Sequence, residues 1–394
     1  MTRMQQSFSQ NRRSFLQYSF LGLGAFVGNS LLLSNIANSS PVTLDPIGDL
    51  QAPDSNGVRL PKGFSSRIVA RSGHDYFGYD WHAAPDGGAT FASDNGGWFY
   101  VSNSEMSKSR GGVGSLRFDK DGKIIDAYSI LNNTSRNCAG GSTPWGTWLS
   151  CEETNLGQVW ECDPYGKNDP VLHTSLGQFK HEAVAVDINN MKLYLTEDTR
   201  DGGLYRYTAN KIDTDGYPDL GDGVLEVAEI TDGEKGKLRW HIIPDPSAIN
   251  TPTRKQIKQS SRFNGGEGIW YYQGNIFFTT KGDNRVYAYD IKNNDLSIIY
   301  NAALYIQPVL TGVDNITSNA SGELLVAEDG GDLQIVIITH ARETIPLLQL
   351  VGHNRSEITG PAFSPNGSRL YFSSQRGITG RSADGITFEI TGPF

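Results

Sequence analysis

The chain is poor in cysteine, with only three among its 394 residues. Cys138, Cys151 and Cys162 lie close together, whereas a disulfide framework would need an even and dispersed set. The sequence therefore excludes a small domain held together by disulfides. A single Cys151–Cys162 bridge stays open as an alternative for an oxidising compartment, and it would leave Cys138 as a free thiol.

Helical periodicity is also scarce, because after about the first forty residues no segment of useful length repeats its apolar residues at helical spacing. An excess of basic residues is missing as well: 34 lysines and arginines stand against 43 aspartates and glutamates, a formal net charge of −9. This charge argues against nucleic acid or an anionic membrane as the main partner. The chain does contain 45 glycines, 17 prolines and a hydrophobic fraction of 38%. That composition is typical of short strands joined by tight turns around a real core.

The N-terminal segment has the pattern of an export signal. Arg12-Arg13 precedes Phe15-Leu16, and a glycine-containing apolar run follows from Phe20 to Leu33. The run is too short and too rich in glycine for a membrane span. We therefore predict a twin-arginine signal over residues 1–40, which directs the chain through the twin-arginine export machinery to the periplasm or the exterior. A chance arginine pair before a short anchor helix is the alternative, and the lack of a clean A-x-A site leaves open whether the segment is removed.

One pattern returns six times: a turn residue, an apolar β-rich run, then small and polar residues. Neighbouring copies lie roughly 45–50 residues apart, the size of a propeller blade, except for a gap of roughly 80 residues between the third and fourth. We therefore predict an all-β, six-bladed β-propeller as a single domain over residues 41–394, monomeric, with an insertion near 211–261. A pair of β-sandwiches would not need such regular spacing. The copies are residues 97–103, 147–153, 192–198, 275–281, 323–329 and 369–375.

Each copy ends in a charged or amide side chain at nearly the same phase of the repeat. One such residue means little, because strand ends that face water are commonly polar. Several carboxylates converging on a channel, however, would repel each other unless cations lie among them. The pattern therefore predicts a metal site at one end of the propeller. The residues in this phase include the doubled acids Glu152-Glu153, Glu197-Asp198 and Glu328-Asp329, together with Asn103, Lys281 and Gln375.

Four loops that lead into apolar strands add candidate ligands. Cys138 lies in a glycine-rich loop, and Glu182, Glu267 and Glu357 each stand just before a predicted core strand. Carboxylates select hard cations such as calcium, whereas a thiolate adds a preference for iron or zinc. The alternative for Cys138 is a small buried residue without a ligand role.

These segments together resemble the PhoX-type secreted alkaline phosphatases. The resemblance rests on the twin-arginine leader, on Gly266-Glu267-Gly268 and on four strings spread over most of the chain. It implies a six-bladed propeller that hydrolyses phosphate monoesters for phosphate acquisition, using a mixed cluster of iron and calcium. The strings are NCAGGSTPWGTWLSCEE (137–153), LGQFKHEAVAVD (176–187), LYLTEDTRDGGLYRY (193–207) and EITGPAFSPNGSRLYFSSQRG (357–377).

The resemblance also implies roles for single residues. A cysteine of the first string ligates iron in the family, which corresponds to Cys138, and the acid pair that ends this string corresponds to Glu152 and Glu153. The further metal ligands that the resemblance implies are Glu182, Asp198, Glu267, Asp329 and Glu357. His181, Glu197 and Glu328 are weaker matches, and we expect them to contact the ligands without contacting a metal themselves.

The reaction implied is metal-assisted hydrolysis, with a metal-bound oxo or hydroxide group rather than a side chain as the nucleophile. The sequence contains no convincing Ser-His-Asp arrangement or aspartate nucleophile motif. Larger family members place a basic residue shortly before the glutamate that here is Glu267, whereas this chain has Gly265-Gly266. Arg262, Lys281 and Arg376 are therefore the candidates for binding the substrate phosphate.

Two other functions fit a propeller with acidic strand ends. A calcium-dependent lactonase or esterase would use a carboxylate–asparagine site, for which Asp314-Asn315 is the candidate, but it gives no role to Cys138. A non-catalytic exported propeller would bind a ligand or partner and hold metals only for structure. Because the fold alone does not choose among these functions, iron at Cys138 is the discriminating observation.

Overall fold

The computed structural model describes Leu44 and residues 47–394. The predicted export signal, residues 1–40, lies outside the described residues. Within that described part, no helix reaches the length and hydrophobicity that a bilayer crossing requires. Nearly all regular structure is β, and the prediction of an all-β, propeller-like fold is confirmed.

The strands follow one another in short antiparallel runs. The first four are β1 (Val58–Arg59), β2 (Ser65–Arg71), β3 (Asp75–Tyr76) and β4 (Tyr79–Asp80). Then come β5 (Pro85–Ala92), β6 (Trp98–Ser104), β7 (Gly111–Phe118) and β8 (Ile124–Thr134). They are followed by β9 (Asn137–Ser142), β10 (Trp148–Glu152), β11 (Val159–Cys162) and β12 (Val171–Leu172).

The same arrangement continues to the C-terminus. Next are β13 (His181–Asp187), β14 (Lys192–Glu197), β15 (Leu204–Ala209), β16 (Gly223–Ile230) and β17 (Gly236–Ile242). After them come β18 (Gly266–Tyr272), β19 (Asn275–Thr280), β20 (Arg285–Asp290) and β21 (Asp295–Asn301). The last are β22 (Val313–Ser318), β23 (Leu324–Glu328), β24 (Gln334–Ile338), β25 (Thr344–Leu350), β26 (Ile358–Phe363), β27 (Arg369–Ser374) and β28 (Ile386–Thr391).

Helical structure in the described residues is confined to single turns. One short α-helix, α1, spans Thr253–Gln256. The 3-10 turns are Thr174–Leu176, Lys281–Asp283, Ala302–Leu304 and Ser382–Asp384.

Most sheets consist of consecutive strands. β5–β8 and β9–β12 each form a four-stranded sheet, β22–β25 are extended by β1, and β26–β28 are completed by β2 from near the N-terminus. A nine-stranded sheet contains β13–β17 and β18–β21, and its two halves join only through the outer strands β17 and β21. The segment predicted as an insertion, near 211–261, contains β16, β17 and α1, so part of it supplies outer strands to this sheet.

A ring of innermost strands surrounds the central channel. β5, β9, β13, β18, β22 and β26 each pack against the next, and β26 packs against β5 to close the ring. The strands of the six-fold sequence repeat, β6, β10, β14, β19, β23 and β27, are the second strands, one step away from the channel. Adjacent innermost strands approach closely, because a Cβ atom added to Gly141 would lie 1.9 Å from the Val184 carbonyl oxygen.

Every innermost strand meets its second strand across a register shift at the same end of the channel. Such a bulge re-aims the side chains beside it. Each shift therefore changes the direction of residues near the start of an innermost strand. The shifts lie at Pro85/Gly88, Ser150/Glu152, His181/Val184, Gly266/Ile269, Val313/Ile316 and Thr359/Ala362.

The apolar core lies between neighbouring sheets. Tyr100 and Phe118 on β6 and β7 pack against Tyr371 on β27, with ring centroids 5.1 and 5.4 Å apart, and the Trp98 Nε1–H group donates to the Tyr371 hydroxyl at 3.0 Å. Contacts of this kind fix each sheet against the next. The ring of innermost strands is therefore held rigidly from outside.

Candidate metal centre

Chemically active side chains occupy the second position of five innermost strands. These residues are Asp86 on β5, Cys138 on β9, Glu182 on β13, Glu267 on β18 and Asp314 on β22. All five strands begin at the end of the channel where the register shifts lie. We call this end the acidic mouth.

The carboxylates of the acidic mouth lie close enough to share cations. In three groups of residues, one oxygen from each member lies within 4.8 Å of the others. Asp314 belongs to two of these groups and therefore links them. The groups are Asp86, Glu105 and Glu357; Glu182, Glu267 and Asp314; and Asp314, Asp329 and Glu357.

Basic side chains stand between the carboxylates. Lys281 Nζ lies 3.0 Å from Glu267 and 3.1 Å from Asp329. Lys180 Nζ lies 2.6 Å from Glu153. Two arginines make three further ion pairs: Arg376 with Glu357 at 2.6 Å, and Arg136 with Glu105 at 3.1 Å and with Glu153 at 3.4 Å.

Negative charge nevertheless exceeds positive charge in the acidic mouth. Nine carboxylates face the four cations just described, and several of those carboxylates are almost fully buried. A bound cation lowers the free energy of such a cluster, because it replaces the water that burial removes. The carboxylates are Asp86, Glu105, Glu153, Glu182, Asp198, Glu267, Asp314, Asp329 and Glu357.

Burial and mutual repulsion raise the pKa of the more deeply buried of these acids, which are Asp86, Glu153, Glu182, Glu267, Asp314 and Glu357. Burial first, and then Glu267 and Asp314, raise the pKa of Glu182 well above its ordinary value. Burial raises the pKa of Asp314 to about 6 and that of Glu153 to about 7. Burial alone lowers the pKa of Lys281, but Asp314, Glu267 and Asp329 reverse this and raise it. The carboxylates thus resist ionisation unless cations compensate them.

Cys138 lies at the edge of this cluster. Its Sγ atom is 3.7 Å from Asp86 Oδ2. Burial, followed by the charge of Asp86, raises the pKa of the thiol well above its ordinary value. A thiolate at this position therefore needs a metal ion beside it, because a coordinating metal deprotonates a thiol.

The residues present fit a metal centre. Glu182 is 1% exposed, and its Oε1 atom has no hydrogen-bond partner. A buried carboxylate oxygen without a partner is costly, and coordination of a cation would satisfy it. The donors are mostly carboxylate oxygens, which suit calcium, with one thiol that suits iron or zinc.

The structure brings many of the predicted site residues to the acidic mouth. Lys281 and Arg376, predicted to bind phosphate, contact carboxylates there. The predicted metal ligands that lie in or beside the mouth are Cys138, Glu153, Glu182, Asp198, Glu267, Asp329 and Glu357.

Two of the predicted acids, Glu152 and Glu197, bind partners other than the carboxylates of the acidic mouth. The carboxylate of Glu152 accepts from the backbone N–H of Ser135 at 3.0 Å and from Trp160 Nε1 at 3.4 Å. Glu197 is bound by Tyr205 and Arg254 at 2.7 and 2.8 Å.

Glu328, His181 and Arg262 also make local contacts. Glu328 accepts from the backbone N–H groups of Thr311 and Gln334. His181 stacks on Phe179, and burial lowers its pKa to about 3. Arg262 donates to the Arg254 carbonyl and to Ser260.

Asp86 and Glu105 were not predicted from the sequence, and Asp314 was predicted only for a rival function. Gln375 Nε2 bridges Asp86 and Glu105 at 2.6 and 3.0 Å. Asp86 and Asp314 could have been found by aligning the starts of the innermost strands, where PDGG, NCAG, HEAV, GEGI and VDNI share an active residue at position two. The second strands carry the clearer apolar repeat, so a search for repeats finds those strands and not the starts of the innermost strands.

The asparagine of the rival lactonase site is already engaged. Asn315 Nδ2 donates to Asp314 Oδ1 at 2.7 Å, and Asn315 Oδ1 accepts from the backbone N–H of Gly360 at 2.6 Å. Both the nitrogen and the oxygen of the Asn315 amide are therefore already hydrogen-bonded within the protein. This arrangement leaves the asparagine oxygen less free to coordinate calcium.

The alternative disulfide is wrong. All three cysteines are free thiols in the structure. On the paired strands β10 and β11, Cys151 stands opposite Val159 and Cys162 opposite Trp148. Because the two thiols are three register positions apart, they cannot form a bond without a shift of the strands.

Metal-free protein should lose stability as the pH rises from about 4.5 to 8. The folded-state pKa values of Asp314 and Glu153, about 6 and about 7, exceed the unfolded values, so the folded chain holds more protons. Stability is then complete below the unfolded pKa and falls as the pH rises through the folded pKa. Calcium should remove this trend. Thermal unfolding of chelated protein between pH 5 and 8, with and without calcium, tests it, and a metal-free stability that rises over this range would contradict it.

Known proteins similar to this chain point to one family. The family model described as alkaline phosphatase PhoX matches residues 102–303. The structure titled "Pseudomonas fluorescens PhoX in complex with vanadate, a transition state analogue" is similar with a TM-score of 0.73 and 16% identity, covering 87% of this chain and 97% of that chain. A structural genomics protein of unknown function from Bacteroides thetaiotaomicron has a TM-score of 0.52 and 10% identity, covering 83% and 76%. No curated protein matches this chain at a significant level of sequence similarity. At these identities the structural likenesses show the fold alone.

Proposed function

This chain belongs to the PhoX alkaline phosphatase family and is a phosphatase, and from that premise we propose that it hydrolyses phosphate monoesters at an iron–calcium centre in the acidic mouth. The observation that carries the proposal is the meeting of Cys138 with buried carboxylates from separate innermost strands. A structural ion would need far fewer donors than this cluster offers.

We assign the metal-holding role to residues by their chemistry. Cys138 with Asp86 would hold iron, because a thiolate beside hard oxygens favours iron over calcium. The all-carboxylate groups around Asp314 would hold calcium. The ligand set is thus Asp86, Cys138, Glu153, Glu182, Asp198, Glu267, Asp314, Asp329 and Glu357, with Glu105 beside it.

When bound, the metals would supply Lewis-acid charge for the phosphoryl oxygens and lower the pKa of an attacking water. The chain's own residues would position the substrate. Arg376 lies in the acidic mouth beside Glu357, and its charged hydrogen bonds suit phosphate oxygens. Lys281, whose ammonium group is held by three carboxylates, would add positive charge near the phosphate. Lys180, between Glu153 and Asp198, is a third cation, which was not predicted from the sequence. Gln375 would keep Asp86 and Glu105 in place.

We further propose that the fold is a six-bladed propeller and that the protein works outside the cytoplasm. Support for six blades is the closed ring of six innermost strands, each followed by its own antiparallel hairpins. Support for export by the twin-arginine route is the Arg12-Arg13 leader in the sequence. That route carries folded proteins, so the centre could be loaded with metal before export.

The test combines elemental analysis with an assay on an aryl phosphate at alkaline pH. We expect purified protein to hold iron and calcium, to absorb visible light through a thiolate–iron bond, and to release phosphate. Exhaustive chelation should lower activity by more than about 100-fold, and adding back both metals should restore it. Protein that holds no metal yet hydrolyses the ester at full rate would contradict the proposed centre. Metal-loaded protein without hydrolysis would contradict the proposed substrate class.

A further inference from the structure

Lys281 occupies an unusual position for a lysine. Its ammonium group lies among three carboxylates, 3.0 Å from Glu267, 3.1 Å from Asp329 and 3.4 Å from Asp314. The side chain is 33% exposed, whereas those of Glu267 and Asp314 are only 2% and 7% exposed. The ammonium group thus compensates acids that water barely reaches.

This position is the junction of two carboxylate groups that could each hold a metal. Asp314 is common to both groups, Glu267 belongs to one and Asp329 to the other. Lys281 contacts all three of these residues. A cation bound between the two groups would need the same oxygens that the ammonium group now holds.

The third acid of the first group remains without compensation. Glu182 shares that group with Glu267 and Asp314, yet its buried Oε1 atom has no partner. Lys281 thus compensates two members of this group, Glu267 and Asp314, and the Oε1 atom of Glu182 is left for another cation.

The backbone fixes Lys281 in place. It follows β19 directly and starts the 3-10 turn Lys281–Asp283, which ends at Asn284 in the left-handed conformation. The Lys281 N–H group donates to the Gly265 carbonyl at 2.8 Å, which ties the turn to the start of β18 and thus to Glu267. Lys281 and Glu267 therefore belong to the same sheet, and the turn after β19 positions the ammonium group beside the Glu267 carboxylate.

We propose that Lys281 is a built-in cation of the acidic mouth, which takes the place of one divalent metal ion between Glu267, Asp314 and Asp329. A calcium ion needs six to eight oxygens at about 2.3–2.6 Å. An ammonium group that donates to Asp314 and Asp329 and forms an ion pair with Glu267 occupies the space between these oxygens and excludes the ion. The centre then holds one ion fewer than its carboxylates could bind. This inference rests on the metal-binding part of the proposed function and adds a limit on the number of metals.

The test is calcium binding by Lys281→Met, which keeps an unbranched side chain, one atom shorter, and removes the charge. Chelated protein is titrated with calcium by calorimetry, and bound calcium is counted by elemental analysis after equilibrium dialysis. We expect one additional calcium ion per chain, or calcium binding at least tenfold tighter than in wild type. Melting temperatures should agree: Lys281→Met should melt lower than wild type without calcium and should gain more from its addition.

Two controls separate charge from other effects. Lys211→Met removes an exposed lysine, paired with Asp222 at 2.7 Å, and should bind calcium as wild type does. Lys281→Arg keeps the charge and should bind the wild-type number of ions. If Lys281→Met fails to fold, Lys281→Gln, which removes the charge but keeps a polar end, takes its place with the same expected gain in calcium binding. An altered number in Lys281→Arg, or unchanged number and affinity in Lys281→Met, would overturn the inference. Wild type that binds no calcium would overturn the proposed metal centre itself, so the two failures are distinguishable.

Discussion

Replacing Cys138 with alanine should remove bound iron and its visible absorption, and should lower phosphatase activity by more than about 100-fold. Loss of a residue that merely orients a ligand already costs about 10–100-fold in metal affinity or activity, and a direct ligand should cost more. Cys138 is the thiol beside the carboxylate of Asp86. The acids grouped with Asp86 among the described residues, Glu105 and Glu357, offer only hard carboxylate oxygens. Elemental analysis, the visible spectrum and the aryl phosphate assay measure the three effects.

Cys162→Ala is the matched control for this prediction. Cys162 is fully buried on β11, where its thiol faces the Trp160 carbonyl at 3.8 Å rather than the acidic mouth. The variant should therefore keep iron and activity while losing only a little stability through a small cavity. Iron and activity that survive in Cys138→Ala would refute the role of this thiol. Their loss in Cys162→Ala as well would point to a general effect on folding.

Glu182→Gln should change stability and metal binding in opposite directions. The substitution keeps the shape of the side chain but removes a buried charge next to Glu267 and Asp314. Without metal at pH 8, less repulsion should raise the melting temperature by about 2–4 °C. With metal, the lost oxygen donor should weaken calcium binding at least tenfold and lower activity by about 100-fold.

The opposite signs distinguish a ligand from a residue that only supports the fold. Glu226→Gln is the control, because Glu226 pairs with Arg206 at 2.8 Å on β16 and β15, outside the acidic mouth. It should leave calcium binding and activity unchanged. If Glu182→Gln lowered stability both with and without metal, its role would be structural and the assignment as a ligand would be wrong.

The sequence by itself determined the kind of fold and the kind of chemistry. Period-two apolar runs at a regular spacing can bury their side chains only in stacked antiparallel sheets, so an all-β propeller-like fold followed directly. The residue types at the strand ends indicated metals, because several acids that converge on a channel repel each other unless cations lie among them, and a thiol adds a preference for iron or zinc. Cys138, Glu182, Glu267 and Glu357 were named from the sequence, and the structure places all four in the acidic mouth.

The tertiary structure alone decided which side chains meet. Side chains alternate across a strand, and the bulges beside the channel shift this alternation, so a doubled acid cannot send both members to the mouth. Glu153 reaches Lys180 whereas Glu152 turns to the backbone of Ser135. Asp86 and Asp314 joined the cluster because the ring closes between strands far apart in the chain. Lys281 lies among three carboxylates because its turn brings it to Glu267 of its own sheet and to Asp314 and Asp329 of the next. No local pattern encodes this contact between the two sheets.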